Sequence, residues 1–152
     1  MRKLELDNFM LYEYNDSAEH KYVIEQIEST DPNKFLGDIK LHIAMINKRK
    51  EENPLNCAYI AYYKGFETTD DYPIGFMGLS YIDGSYQVSG GTLPQFRKQN
   101  LSSLLLQEFS EKMIEITNEE IVIKVDPNNI ASQKVAGLVG YEQTDATTYK
   151  MR

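Results

Sequence analysis

The alternation of apolar and polar side chains divides the chain into strands and helices. Alternating or continuous apolar residues predict strands, and apolar residues spaced three to four positions apart predict helices. The predicted strands cover 3–14, 57–65, 72–82, 85–93, 121–125 and 147–151. The predicted helices cover 18–29, 34–52, 101–117 and 129–139. The order is therefore β-α-α-β-β-β-α-β-α-β, with one more short strand possible near Tyr141.

Turn residues agree with this division. Asp83-Gly84, between two predicted strands, is typical of a tight hairpin, and Gly140 stands where a glycine ends a helix. Gly90-Gly91, inside a predicted strand, indicates a bulge or a close backbone approach. The segment 85–125 has the order strand, turn, helix, strand. We expect it to form a right-handed crossover whose two strands lie side by side and parallel.

Length and composition indicate one domain over residues 1–152. A chain of 152 residues is long enough for one substantial core, and its 41% hydrophobic and 26% charged residues are typical of a folded protein. No apolar stretch approaches the roughly 20 residues of a membrane span, and the start, MRKLELDNF, lacks the apolar core of a signal peptide. We expect a cytoplasmic protein without a membrane partner.

Charge and metal-binding residue types exclude several functions. The formal net charge of −7 disfavours nucleic acid as a partner, because phosphate binding needs a basic face. A single cysteine, Cys57, excludes an intrachain disulfide and a multi-cysteine metal site, and its place in a predicted strand indicates a buried, inert thiol. His20 and His42 lack the spacing of zinc ligands. We therefore expect no metal.

The turn FRKQNLSS, residues 96–103, lies between a predicted strand and a predicted helix. The first amides of a helix have no partner within it, and the helix dipole favours an anion there. Arg97 and Lys98 add positive charge, and Ser102 and Ser103 add hydroxyl donors. These features predict an anion site, although a capped helix with chance cations is the alternative.

The charge pattern and the missing glycine both bear on this turn. Residues 84–107 contain no Asp or Glu, although the chain has 23 acidic residues. A phosphate-binding turn usually contains glycine, because glycine adopts positive φ and lets the phosphate approach the backbone. This turn has none, and Asn100 is the residue type that next best tolerates the left-handed region. We expect Asn100 to take the positive φ.

Two segments resemble the GCN5-related N-acetyltransferase (GNAT) superfamily. PQFRKQNLS follows the acetyl-CoA motif P-x-x-(Q/R)-x-x-G-x-(G/A), with Pro94 and Arg97 in place and Asn100 at the first glycine. NIASQKVAGLVGY, which begins at Asn129, follows a second motif of the superfamily. Its Ser132 and its Val-Ala pair look most like the branch that acetylates protein N-termini, including those of ribosomal proteins. The order of elements agrees over nearly the whole chain.

This resemblance implies a mixed α/β fold. The sheet would be mostly antiparallel, with about six to seven strands and about four helices, and it would splay into a V between the strands at 85–93 and 121–125. Acetyl-CoA would bind in that V as cosubstrate, with its pantetheine bonded to the backbone near Gly91. The implied cofactor-binding residues are Thr92, Leu93, Arg97, Lys98, Gln99, Asn100, Leu101, Ser102, Ser103 and Asn129.

The resemblance also implies direct attack of an amine on the thioester. A backbone N–H near Leu93 would stabilise the oxyanion. Many relatives have a glutamate base where this chain has Gln87, and a tyrosine near the thiol where it has Ala136. Ser132, one turn earlier, is the candidate catalytic hydroxyl for the leaving thiolate, and a small packing residue is its alternative role. Four tyrosines are further candidates: Tyr81, Tyr86, Tyr141 and Tyr149.

Two functions remain open from the sequence. The first is an acetyl-CoA-dependent N-acetyltransferase acting on a primary amine, either a small molecule or a peptide N-terminus. The second is a non-catalytic protein of the same fold that binds acyl-CoA or a protein partner, which the changes at Gln87 and Ala136 favour. The acceptor would bind opposite the pyrophosphate, near residues 18–52, the 65–72 hairpin and the C-terminal strands. Asp70 and Asp71 could attract an amine there, and a solvated hairpin tip is their alternative role. The tyrosine-rich strands could support a homodimer.

Overall fold

A computed structural model describes residues 2–31, 38–65, 72–97 and 100–152, and only the backbone of Arg97. Its strands are β1 (Lys3–Glu5), β2 (Phe9–Glu13), β3 (Cys57–Tyr63), β4 (Tyr72–Ile82), β5 (Ser85–Thr92), β6 (Ile121–Lys124), β7 (Glu142–Gln143) and β8 (Thr148–Met151). Its helices are α1 (Ala18–Ser29), α2 (Ile39–Arg49), α3 (Pro94–Arg97), α4 (Leu101–Thr117) and α5 (Ile130–Leu138). The predicted α/β class is confirmed, with one strand more than the predicted six to seven and the four-residue α3 in addition.

All eight described strands form one sheet in the order β1-β2-β3-β4-β5-β6-β8-β7. Within the described ranges, β5 and β6 are the parallel pair, and the other neighbours are antiparallel. The elements β5, α4 and β6 therefore form the predicted crossover with parallel strands. The extra strand foreseen near Tyr141 is β7, which pairs with β8 at one edge of the sheet.

The prediction of a single strand over residues 3–14 is wrong, because this segment is a hairpin of β1 and β2. Leu4 lies opposite Leu11, and the Leu6 N–H donates to the Phe9 carbonyl at 2.9 Å across the turn. The sequence carries the signal for this turn. Its buried apolar residues stand at even positions up to Leu6 and at odd positions from Phe9 onward, and this change of parity cannot occur within one regular strand.

Helices cover both faces of the sheet and bury a core on each. The core under α4 and α5 includes Met77, Val88, Leu105, Phe109, Ile121 and Ala136. The core under α1 and α2 includes Ile24, Ile43, Ile46, Ile60, Phe76 and Leu93. Adjacent residues of a strand point to opposite faces, so β5 presents Val88 to α4 and Leu93 to the α1 and α2 side. None of the described helices has the length and apolar content that crossing a bilayer requires.

Polar side chains fix where α2 begins. The Asp38 carboxylate accepts the Leu41 N–H at 3.0 Å, which is the usual N-cap bond. The Glu28 carboxylate, near the end of α1, accepts the Ile39 N–H at 2.9 Å and so ties the two helices together. Of the predicted helix 34–52, residues 34–37 lie outside the described residues, and the helix ends at Arg49.

The predicted glycine positions are confirmed. Gly140 has φ +102° just after α5, as a glycine that ends a helix should. The β4–β5 register runs through Gly90 and Gly91 without a bulge, so the alternative of a close backbone approach is the one observed. A Cβ on Gly90 would lie 2.8 Å from the Phe76 carbonyl oxygen.

The parallel strands part after their first contacts. β5 pairs with β6 at Tyr86–Ile121 and Gln87–Val122. β5 then continues to Thr92 along β4, and β6 continues to Lys124 along β8, without further pairing to each other. This is the predicted V-shaped splay, and it opens the sheet at the C-terminal ends of the two strands.

Candidate active site

The splay opens a cleft of about 680 Å³ that reaches both faces of the sheet. Helices α4 and α5 and the loop before α5 contribute one wall: Ser102, Leu105, Leu106, Asn129, Ser132 and Val135. On the opposite face, α2 contributes His42, and the end of α1 is followed by Thr30 and Asp31. Strands β4 and β5 contribute the floor between the two faces: Phe76, Ser80, Gln87, Ser89, Gly90 and Thr92.

The backbone of β5 presents alternate residues to the cleft. The Leu93 N–H donates to the Ile74 carbonyl at 2.8 Å, so Leu93 belongs to the ladder with β4. The Leu93 N–H is therefore engaged within the sheet, and the oxyanion donor expected near Leu93 stays a prediction for the neighbouring amides. Hydrogen bonding alternates along an antiparallel ladder, so Gly91 also faces β4, whereas Gly90 and Thr92 direct their backbone groups to the edge that β6 has left.

The turn before α4 has the conformation that the sequence predicted. Asn100 has φ 59° and ψ 12°, in the left-handed region, and stands at the N-cap position of α4. Its side chain makes no capping hydrogen bond, whereas the caps of α1, α2 and α5 each accept an amide of their helix. The first amides of α4 are therefore left without a side-chain cap and face the region beyond the turn.

Hydroxyl groups surround this helix start. The Ser102 hydroxyl bonds to that of Thr92, which joins the first turn of α4 to the end of β5. The Ser103 hydroxyl donates to the Asn100 carbonyl at 3.1 Å and stabilises the turn. The Leu101 side chain is buried in the core, so only its backbone can contribute to a site. The structure brings these predicted residues together at one end of the cleft.

Some predicted positions lie beyond the description. Lys98 and Gln99 lie outside the described residues, as do Asp70 and Asp71. Arg97 ends α3, and its side chain is not described. Their roles stay predictions.

The start of α5 lies at the other wall of the cleft. The Asn129 side chain accepts the Ser132 N–H at 3.2 Å and caps α5. This bond holds the loop before α5 against the first turn of the helix, and the cofactor-binding role of Asn129 stays a prediction. Ser132 lines the cleft and is half-buried. Ala136, one turn further, is fully buried in the core against α4, so a side chain at this position does not face the cleft.

The four candidate tyrosines do not line the described cleft. The Tyr86 hydroxyl accepts from the Asn53 side chain at 3.0 Å, and the Tyr141 hydroxyl bonds to Ser110 at 2.7 Å in the core. Burial raises the pKa of Tyr141 well above its ordinary value. Tyr149 is buried and Tyr81 packs on Tyr86. These contacts support packing roles, which leaves Ser132 as the hydroxyl of α5 that lines the cleft.

Sequence reasoning missed His42, which lines the cleft from α2. Its Nε2 lies 2.8 Å from the Ser89 Oγ, and its ring contacts Phe76 edge-on with centroids 6.4 Å apart. Burial lowers the pKa of His42, and the Arg49 charge lowers it further. The available signal was its helical spacing with Ile39, Ile43 and Ile46, which places it at the edge of the buried stripe of α2. Among the described residues, no group of three or more His, Cys, Asp or Glu is arranged to hold a metal.

Comparison with known proteins identifies the fold. No family model and no curated protein matches the chain. The structure is similar to an acetyltransferase of Agrobacterium tumefaciens, with TM-score 0.76, 14% identity and coverage of 100% of this chain and 95% of that one. It is similar to a GNAT-family acetyltransferase of Bacillus anthracis, with TM-score 0.71, 12% identity and coverage of 98% and 96%. It is also similar to the ribosomal-protein-S5-alanine acetyltransferase of Vibrio fischeri, with TM-score 0.65, 12% identity and coverage of 99% and 94%. The chain therefore has the fold of GNAT-family acetyltransferases.

Proposed function

We propose that the protein is an N-acetyltransferase that moves the acetyl group of acetyl-CoA directly to a primary amine. The observation that carries this proposal is the parting of β5 and β6 after Gln87 and Val122, beside a helix whose first amides lack a side-chain cap. The similar solved structures of the same fold include acetyltransferases. Their likeness to this chain supports acetyl transfer as the reaction class.

The residues of the cleft fit acetyl-CoA in one orientation. The pyrophosphate would lie on the amides at the start of α4, where Asn100 supplies the left-handed turn and Ser102 and Ser103 add hydroxyls. Arg97 and Lys98 would add positive charge. The pantetheine would run along the edge of β5 that carries the backbone groups of Gly90 and Thr92, in place of a further strand.

The reaction needs a neutral amine, a donor for the oxyanion and a proton for the leaving sulfur. The amine nitrogen bonds to the thioester carbonyl carbon, the C–S bond breaks, and the amine proton is removed. The amides of Gly90 and Thr92, which are near Leu93 and on the cleft side of β5, would donate to the oxyanion. Ser132, at the start of α5, would supply a hydroxyl to the departing thiolate. No covalent enzyme intermediate is needed.

Thermal unfolding with acetyl-CoA, together with a thiol assay for released CoA, tests this proposal. A ligand selective for the folded state raises Tm, so 1 mM acetyl-CoA should raise it, whereas 1 mM ATP, which lacks the pantetheine, should raise it less. The amine panel would contain a peptide with N-terminal alanine, a peptide with N-terminal serine, and spermidine. Absence of a Tm shift would eliminate acetyl-CoA binding and the enzyme together.

Ser132→Ala tests the hydroxyl of α5. We expect turnover to fall while the acetyl-CoA shift in Tm is kept, because the Asn129 cap bonds to the backbone of residue 132 rather than to its side chain. Ser103→Ala is the comparison variant, because its hydroxyl belongs to the turn at the other end of the cleft. Unchanged turnover in Ser132→Ala would remove this residue from the mechanism.

A protein that binds acyl-CoA without turnover is the second candidate. Two observations favour it: Gln87 cannot act as a base, and α5 carries the buried Ala136 where many relatives of the fold have a tyrosine. A rise of Tm with acetyl-CoA, without CoA release from any amine of the panel, would support this function over the enzyme.

A further inference from the structure

Four polar side chains lie together on the α2 side of the cleft, and we call them the polar cluster. They are His42, Ser80, Gln87 and Ser89. Ser80 and Gln87 are register partners on β4 and β5, and Ser89 follows two residues later, so these three point to the same face of the sheet. His42 reaches them from α2 through its 2.8 Å contact with Ser89.

A glycine leaves space beside the polar cluster. Gly78 is the register partner of Ser89, and a Cβ there would lie 3.1 Å from the Ser89 Oγ and 3.0 Å from Ile46 Cδ1. A larger residue would therefore press on the serine hydroxyl. The absence of a side chain at Gly78 keeps Ser89 in contact with His42 and with the cleft.

The Ser80 hydroxyl is a second, independent sign of a ligand. Ser80 is 2% exposed and lines the cleft, and its Oγ has no hydrogen-bond partner among the described residues. A buried hydroxyl without a partner is unfavourable by itself. A bound amine would provide the missing hydrogen bond, since each of its N–H groups is a donor and the serine oxygen is an acceptor.

Burial and the charge of Arg49 favour the neutral form of His42. Burial lowers the pKa of His42 and the Arg49 charge on the same helix lowers it further. Asp31 faces the same cleft from beyond α1, and Lys124 and Asp126 face it from the end of β6. β4 and β5 contribute uncharged groups to the described cleft. A neutral imidazole can accept a proton, whereas an imidazolium cannot.

We propose that the polar cluster is the acceptor-amine pocket and that the His42–Ser89 pair takes the proton which the amine gives up. This inference rests on the proposed acetyl transfer. One N–H of the amine is held by the Ser80 and Gln87 oxygen atoms, the other N–H donates to the Ser89 Oγ, and the nitrogen lone pair attacks the thioester carbon. As the C–N bond forms and the C–S bond breaks, the nitrogen's proton passes to the Ser89 Oγ while the Ser89 proton passes to His42 Nε2. The Ser132 hydroxyl gives its proton to the thiolate and regains one from solvent, and the imidazolium releases its proton to solvent.

The pH dependence of kcat/KM in His42→Gln tests the pair. Glutamine can keep a hydrogen bond to Ser89 but cannot take up a proton, so kcat/KM at pH 7.5 should fall roughly 100-fold or more. The amino group of a peptide that starts with alanine has a pKa of about 8. A plot of log kcat/KM against pH for wild type should therefore have slope 1 below that pKa. The slope should become 2 below the pKa of His42, and the variant should keep slope 1 throughout.

His20→Gln is the matched control. His20 is a second buried histidine whose pKa is lowered by burial, but it packs on Tyr14 and Tyr62 and does not line the cleft. It should keep the slope of 2. Acetyl-CoA should raise the Tm of both variants as it does for wild type, which shows that each is folded.

Ser80→Ala tests the pocket separately. It should raise KM for the peptide more than it lowers kcat, with Tm unchanged or higher. If His42→Gln has the same kcat/KM and the same pH slopes as wild type, the inference is overturned and the proposed function stands. If wild type releases no CoA at any pH, both the inference and the proposed enzyme are overturned. The shift of Tm with acetyl-CoA then shows whether the protein still binds acetyl-CoA.

Discussion

At the residue scale, Asn100 is the residue that adopts positive φ in this turn, where a phosphate-binding turn usually has glycine. Its φ of 59° is a conformation that asparagine tolerates, because its short polar side chain can be accommodated in the left-handed region. Its side chain is exposed and makes no cap bond, so its backbone conformation is its main contribution. The residue type therefore preserves the open helix start without a glycine.

Asn100→Val should disturb this turn in a measurable way. A β-branched residue at positive φ should lower the free energy of unfolding by about 1–2 kcal/mol and weaken acetyl-CoA binding. Asn118→Val is the control, since Asn118 is also exposed with φ 55° but stands at the opposite end of α4. Denaturant unfolding and acetyl-CoA titration should show both variants destabilised and only Asn100→Val weakened in binding. Equal binding by the two would show that the turn does not hold the cofactor.

Ser80→Ala should stabilise the folded protein. Its Oγ is buried without a described partner, so its removal relieves a desolvation penalty of about 1–3 kcal/mol, less the small loss of packing. Ser110→Ala is the contrast, because the Ser110 hydroxyl is also buried but bonds to Tyr141 at 2.7 Å. It should lower the free energy of unfolding by about 1–3 kcal/mol. Urea unfolding of both variants checks the sign, and a loss of stability in Ser80→Ala would show that its hydroxyl is already satisfied.

Single residues were predictable only where one local property decides the outcome. The positive φ of Asn100 follows from its residue type and its place in a turn. The engagement of the Leu93 N–H by Ile74 depends on the register between two strands, which local sequence does not determine. The His42–Ser89 contact joins residues 47 positions apart and was not predictable from spacing along one helix.

At the scale of elements, β5 combines close packing with an open edge. One side of the strand is bonded to β4 to its end, and the other side leaves β6 after Gln87. Gly90 allows this packing, since a Cβ would come within 2.4 Å of the Met77 sulfur and 2.8 Å of the Phe76 carbonyl oxygen. The sulfur can move aside, but the carbonyl belongs to the neighbouring strand.

Gly90→Ala should therefore strain the pairing of β4 and β5. The free energy of unfolding should fall by about 1–3 kcal/mol, because the added methyl forces a backbone shift. Gly137→Ala provides the opposite case: it lies within α5, and a Cβ there would meet nothing within 4 Å. Alanine should stabilise that helix by about 0.5–1 kcal/mol. Guanidinium unfolding of the two variants should give shifts of opposite sign, and a stabilised Gly90→Ala would contradict the packing argument.

Elements were predictable where periodicity and turn residues agree. The long helix α4 and the crossover from β5 to β6 have both signals, and both are observed. The β1–β2 hairpin was missed because its apolar residues continue on both sides of a turn that contains no glycine or proline. The local signs of it were the parity change between Leu6 and Phe9 and the turn-forming pair Asp7-Asn8 between them.

At the scale of the whole molecule, the cleft lies between two layers of helices, at the point where β5 and β6 part. The α4 and α5 layer packs on one face and the α1 and α2 layer on the other. The Glu28 bond to the start of α2 links the second layer internally and helps to position His42. The resemblance of two short motifs predicted this architecture and an acceptor region near residues 18–52, whereas the contact between His42 and Ser89 became visible only from the packing of α2 on β4 and β5.

The two histidines should make the stability of the whole protein depend on pH below their ordinary pKa of 6.5. Burial lowers the pKa of His20 and of His42 below the ordinary 6.5, and the His20 Nδ1 accepts the Asn15 N–H at 3.1 Å, which requires an unprotonated nitrogen. The unfolded chain therefore binds protons first as the pH falls. Their contribution is complete above pH 6.5 and is lost as the pH falls below 6.5 toward the folded pKa values.

Urea unfolding at pH 7.5, 6.5 and 5.5 measures this effect. The free energy of unfolding should decrease across this range in wild type and decrease less in the double variant His20→Gln/His42→Gln. Glu5 and Asp145 do not produce the same window: a hydrogen bond from Lys64 lowers the pKa of Glu5, and a backbone hydrogen bond from Thr147 lowers that of Asp145, so both titrate below their ordinary values of 4.5 and 3.8. Their protonation therefore lowers the free energy of unfolding only at a more acidic pH. If wild type and the double variant lose stability in parallel between pH 6.5 and 5.5, the histidines are not buried in their neutral form, and the base assigned to the cleft loses its support with them.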